Sequence, residues 1–180
     1  MSGVGTGSLV GGAIRLGAEL RTELAAVTYQ GTHARDGDVA VRVFTGPQAS
    51  TELHYFEREA TVLRALPANR HRPSYRGHGL VDGTPFIVTD PDIGHAFSSV
   101  LAKGGSFKEQ TVVGILMQLC AALTDIHKLG GAHGHVHPAN MTVTRGGGSV
   151  PLRVVLHNWG HVRDTQGLLK LTKGGEFLSG

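Results

Sequence analysis

Two stretches of this chain carry apolar residues at helical spacing, and turn signals cut most of the rest into strand-length pieces. Leu53, Phe56, Ala60, Leu63 and Leu66 recur every three or four residues, which predicts a helix over 49–66 with one buried face. Ser50 or Thr51 can cap it, Glu52 falls in the favourable first turn, and Pro67 ends it. The longest helix is expected over 106–129. Val112, Ile115, Leu119, Ala122, Leu123 and Ile126 line its face, and Gly130-Gly131 stops it. Cys120 lies inside this apolar run and reads as a small core residue rather than a nucleophile.

Around these helices the period changes from 3.6 to 2. Residues 14–45 read as three strands: Ile14 to Leu20, Ala25 to Gly31, and Val39 to Phe44. In the last, Val39, Val41 and Val43 share one face while Ala40, Arg42 and Phe44 share the other. Asp36-Gly37 supplies a tight hairpin turn before it. Two more strands, Tyr75 to Val81 and Pro85 to Asp90, are joined by Asp82-Gly83. Residues 133–165 alternate short strands with turns, including Arg145 to Ser149. The first thirteen residues are small and glycine-rich and read as a flexible leader. Their Gly3-x-Gly5-x-Gly7 run lacks the preceding strand that a phosphate loop needs. Glycine, 27 of 180 residues, predicts many turns and some mobile loops, with no collagen period.

Composition excludes several function classes. A hydrophobic fraction of 40% is enough for a real core and argues against global disorder. A net charge of +3 with scattered Lys and Arg, clustered only at Arg70-His71-Arg72, is too mild for a nucleic-acid partner. The apolar run from Val112 to Ile126 is broken by Gly114, Gln118, Thr124 and Asp125, too short a stretch for membrane insertion. The N-terminus lacks a secretory signal, and one cysteine rules out an intramolecular disulfide. A cytoplasmic location is expected.

From about Leu16 to Asp164 the order and wording resemble the eukaryotic-type protein kinase superfamily, bacterial serine/threonine kinases in particular. VAVRVF resembles the strand that carries the family's phosphate-binding lysine, with Arg42 in its place, and Glu59 matches the glutamate that pairs with it. PFIVTDPDIG resembles the last strand and hinge beside the adenine pocket, with Thr89 guarding its back and Asp90 opening the hinge. His133-Gly-His-Val-His-Pro-Ala-Asn140 resembles the catalytic loop. There His133, Pro138 and Asn140 agree, but His135 replaces the catalytic aspartate and His137 the lysine. VVLHNWG resembles the strand and turn of the magnesium-binding motif, with Asn158 in place of the aspartate. The loop that should cover phosphate reads LRTELAAVTY, where Arg21, Glu23 and Ala26 occupy glycine positions. A carboxylate there repels phosphate.

The resemblance implies an α+β, protein kinase-like fold: a five-stranded antiparallel N-lobe with one helix over 14–90, then a shortened, mainly helical C-lobe over 91–165 and a tail over 166–180. It implies a pseudokinase-like, non-catalytic protein in signalling, a binding or regulatory scaffold for an unknown protein partner. ATP remains a candidate ligand at Arg42, Glu59, Thr89, Asp90 and Asn158. His135, His137 and Asn140 hold the degenerate catalytic positions. Magnesium is not expected, because Asn140 and Asn158 offer it two neutral carbonyls and no carboxylate. An exposed flank of the 106–129 helix would serve a partner or self-association.

The alternatives are a weakly active serine/threonine kinase using His135 as base, a histidine-rich metal-binding module, and a degenerate structural one. The metal version draws on His133, His135 and His137 sharing one side, with His157 or His161 approaching. No cysteine or carboxylate completes a known ligand spacing, so no metal ligand is assigned.

Overall fold

The computed structural model describes residues 3–23, 25–45, 50–91, 93–104, 106–146, 152–164 and 177–178. The side-chain cap expected from Ser50 or Thr51, the Gly147–Ser149 part of one expected turn, and most of the 166–180 tail fall outside them. In chain order the strands and helices begin with β1 (Leu9–Val10), β2 (Ile14–Thr22), β3 (Ala26–His33), β4 (Gly37–Phe44) and α1 (Ser50–Ala65). Next come β5 (Tyr75–Val81), β6 (Thr84–Thr89), β7 (His95–Ala96), α2 (Phe97–Ala102) and α3 (Glu109–Lys128). Last are β8 (Gly131–Ala132), β9 (Met141–Arg145), β10 (Leu152–Leu156), β11 (Arg163–Asp164) and β12 (Phe177–Leu178). Pro138–Asn140 and Trp159–His161 are single 3₁₀ turns.

This is not the five-stranded lobe followed by a mainly helical one. The organising element is a barrel-like antiparallel sheet of six strands, β1-β2-β3-β4-β6-β5, and β12 adds to it in parallel. Among the described residues past 90 there are one six-residue and one 20-residue α-helix, mixed with short paired strands. Two features enlarge the sheet. Leu9–Val10 pairs with β2 with Val10 fully buried, so part of the expected leader is sheet. On the far edge, Phe177 and Leu178 pair with His78 and Gly79.

The sheet buries both faces. Ile14, Leu16, Val39, Val41, Val43, Phe86 and Val88 form one core, as the alternation in VAVRVF requires. Phe44, Phe56, Leu63 and Ile87 belong to a second core that continues without a break into Ile115, Leu119, Ile126, Leu156 and Trp159. The hairpins follow their turn chemistry. Gly37 has φ +72°, and Asp82 and Gly83 both have positive φ, as a two-residue turn matching strand twist needs.

Of the expected face α3 buries Ile115, Leu119, Ala122 and Ile126 but not Val112, Gln118 is buried with them, and Cys120 is exposed. Each residue turns the helix by about 100°, so Cys120 points away from the arc that Leu119 fills. Val112, Val113, Leu116 and Met117 are also exposed, because this helix is apolar over more of its circumference than the core covers. The Arg70–Arg72 cluster turns inward. Arg72 is buried, donates to the Ala122 carbonyl and to Asp125, and also donates to the Pro67 carbonyl, tying the end of α1 to α3.

Candidate functional site

Arg42 is the hub of the site. It sits on β4 opposite Ile87 of β6, on the face away from the valines, and points toward α1. Its Nη1 donates to both oxygens of Glu59, at 2.9 and 2.8 Å, across the strand–helix interface. Its Nη2 donates to Glu23 Oε2 at 2.5 Å and to Asn158 Oδ1 at 3.2 Å. Arg21 Nε holds the other Glu23 oxygen at 3.0 Å. The cluster thus contains two guanidiniums and two carboxylates, all partly or fully buried. Such pairs hold only when their hydrogen bonds are nearly complete. Among the described residues one buried side-chain donor has no partner, Arg42 Nε.

Glu59 is the most buried member. Burial raises its pKa, the Arg42 charge lowers it, and the Glu23 charge raises it again; the Trp159 backbone N–H lowers it. The two carboxylates therefore compete for one guanidinium.

The network runs on through amides. Asn158 Nδ2 donates to Asn140 Oδ1 at 3.3 Å, and Asn140 Nδ2 donates to the His135 carbonyl at 2.9 Å. Asn158 has φ +66°, a left-handed conformation that asparagine tolerates. Asn140 is buried at the end of a 3₁₀ turn. Both amide oxygens thus have protein donors, Asn140 Oδ1 from Asn158 and Asn158 Oδ1 from Arg42.

The histidines separate into distinct roles. His133 is buried, with Nε2 against the His157 carbonyl at 3.0 Å and Nδ1 accepting from the His135 backbone N–H at 3.2 Å. Burial drives its pKa down to about 4, with His135 and His161 pushing the same way. It is neutral, and these partners fix the Nε2–H tautomer. His135 is exposed and its ring lies 4.6 Å from that of His161. His137 stands apart, its Nδ1 accepting from the Ala139 N–H and capping the turn that carries Asn140. His157 is buried and its Nε2 bonds Thr142 Oγ1 at 2.9 Å. Among the described residues no three His, Cys, Asp or Glu converge on a metal position, so the histidine cluster is not assembled as one.

Thr89 and Asp90 line a cavity together with Arg42. The cavity encloses about 70 Å³, with Arg21, Ala40, Glu59, Ile87 and His157 among its lining. Thr89 Oγ1 donates to the Asp90 carbonyl, and the Asp90 carboxylate accepts from Arg76 at 2.6 Å. The structure therefore brings Arg42, Glu59, Asn158, Asn140 and the His135 backbone into one chain of bonds. Thr89 and Asp90 share the cavity with Arg42 and Glu59, and His137 is left out. Sequence reading placed Glu23 and Arg21 in the neighbouring loop but missed that both bind into the Arg42 cluster. The acidic residue at a position where the resemblance wants glycine was the available signal.

The chain is similar to the serine/threonine-protein kinase KIC1 of Saccharomyces cerevisiae, 29% identical over 122 residues. That match covers 67% of this chain but only 11% of the kinase. The relation to serine/threonine kinases is thus partial and distant, and no family model matches the chain. Among the described residues no helix is long and apolar enough to cross a membrane.

Proposed function

We propose that this chain is a kinase-related binding module without phosphoryl transfer: a pseudokinase-like regulatory scaffold working in the cytoplasm, with ATP as a candidate ligand and no requirement for magnesium. The observation that carries the reading is the state of Arg42. Both of its terminal nitrogens are occupied by protein acceptors, Glu59, Glu23 and Asn158. Phosphoryl transfer is driven by fixed positive charge and metal aimed at the transferring group. Here the positive charge is neutralised from within, and the expected metal position holds two amides bonded to each other.

The partner would sit on α3, where Val112, Val113, Leu116, Met117 and Cys120 leave an apolar strip exposed. A protein partner or a second copy of the chain both fit that strip.

The test is transfer of labelled phosphate from ATP, with magnesium or manganese, to the protein itself and to a generic serine/threonine substrate. No label above background is expected. Label that disappears in His135→Ala would overturn the reading in favour of a working kinase with a histidine base. Melting curves of the same sample with ATP, with and without magnesium, give the ligand arm; a shift only with magnesium would contradict the role given to Asn158.

A further inference from the structure

We infer that Glu23 is an internal occupant of the anion position at Arg42: while it stays paired there the cavity refuses polyphosphate, and removing its charge turns Arg21 and Arg42 into an anion-binding site. The inference deepens the reading of an inert site and rests on it.

Geometry supplies the first support. Glu23 bridges two guanidiniums, Oε2 on Arg42 at 2.5 Å and Oε1 on Arg21 at 3.0 Å. A carboxylate held this way makes the contacts two phosphate oxygens would make. The turn between β2 and β3 delivers it, pinned by the Glu23 N–H on the Ala26 carbonyl at 2.8 Å. A ligand that is to take the Arg42 Nη2 and Arg21 Nε donors must displace it.

Charge supplies the second. Arg21 and Arg42 are balanced by Glu23 and Glu59, so an arriving polyanion meets a neutral cluster. Without the Glu23 charge the same cluster carries one net positive charge in a site where Arg21 and Arg42 are only 10% and 12% exposed. Weak screening there makes that charge count for more than at the surface. Arg42 lines the cavity, and its buried, unpartnered Nε is a further donor that the carboxylates leave unused.

The third support is the inequality between the two carboxylates. The Glu59 side chain is 5% exposed and takes two bonds from Arg42. Glu23 is 17% exposed and sits on a turn. Since the two repel each other, Glu23 is the one that can leave.

The experiment titrates inorganic tripolyphosphate, without metal or nucleoside, into the whole chain and into Glu23→Gln, with melting curves to establish folding. Glu23→Gln is expected to bind at least tenfold more tightly than wild type, and adding Arg21→Gln is expected to abolish most of that gain. Equal affinity of wild type and Glu23→Gln would overturn the inference, as would a gain that Arg21→Gln leaves intact. Glu23→Ala serves the same comparison should Glu23→Gln fail to melt cooperatively. Labelled product from wild type in the transfer assay would overturn the inert-site reading and this inference with it, whereas equal tripolyphosphate affinities overturn this inference alone.

Discussion

Acid should destabilise this protein through His133. Its ring is buried edge-on against Trp159 at 4.7 Å, with one nitrogen on the His157 carbonyl and the other on the His135 N–H. Desolvation lowers its pKa from the ordinary 6.5 to about 4. Above about pH 6.5 the imidazole is neutral in both states and its contribution is complete. As pH falls toward 4 the unfolded chain binds a proton that the folded one refuses, so stability falls with pH. At pH 5 the linkage amounts to about 2 kcal/mol, rising to about 3 kcal/mol once both states are protonated. His71, His78 and His161 are also held below the ordinary value, chiefly by burial, and act in the same direction. The His133 share is therefore read as a difference. Urea unfolding of wild type and His133→Gln would be compared between pH 8 and pH 5. Glutamine keeps an amide donor near the His157 carbonyl but does not titrate. Wild type should lose about 2 kcal/mol more than the variant. Parallel losses would refute the argument.

Two further perturbations test the site and the surface. Arg42→Met leaves Glu59 and Glu23 buried beside each other without that cation and should cost about 3–5 kcal/mol, read from the urea midpoint at constant slope; a loss under about 1 kcal/mol would mean that the cluster does not hold β4 to α1. Met117→Glu, at a side chain 68% exposed, should change stability by no more than about 0.5 kcal/mol. In sedimentation at rising concentration it should reduce self-association through α3, and wild type that stays monomeric throughout would leave the strip to a different protein.

Much of the local structure was legible because it is written in short-range periods. VAVRVF alternates, and its two faces enter two different cores. Asp36-Gly37 and Asp82-Gly83 make the turns their φ preferences require. The Arg42–Glu59 contact was legible through the resemblance, whose paired positions these two residues match, and not through any period or spacing. Larger features were not legible. β1 and β12 are two residues long, too short for any period, and their partners are set by tertiary pairing. α3 is apolar nearly all round, so its sequence cannot say which arc is buried, and Cys120 fell on the wrong side. The mainly helical second half came from the resemblance and overrode the residues' own pattern, since short strands were read over 133–165, where β9, β10 and β11 lie, while β7 and β8 are too short to show a period. Glu23 lies 19 residues from Arg42, and nothing in the spacing of the two aims one at the other.

On the proposed reading, the same contacts that stabilise the site leave it unsuited to group transfer. A guanidinium paired with two carboxylates joins β4, α1 and the β2–β3 turn, and the Asn158–Asn140 bond extends the tie to the turn carrying His135. Each contact is satisfied in the resting molecule. Catalysis needs the opposite, groups whose best partner appears only in the transition state. A lysine left waiting for phosphate, or an aspartate waiting for a metal, costs stability in the absence of ligand. Here Glu23, Arg42 and Asn158 complete one another. A site whose groups already complete one another fits the proposed role, holding a shape for a partner rather than turning over a substrate.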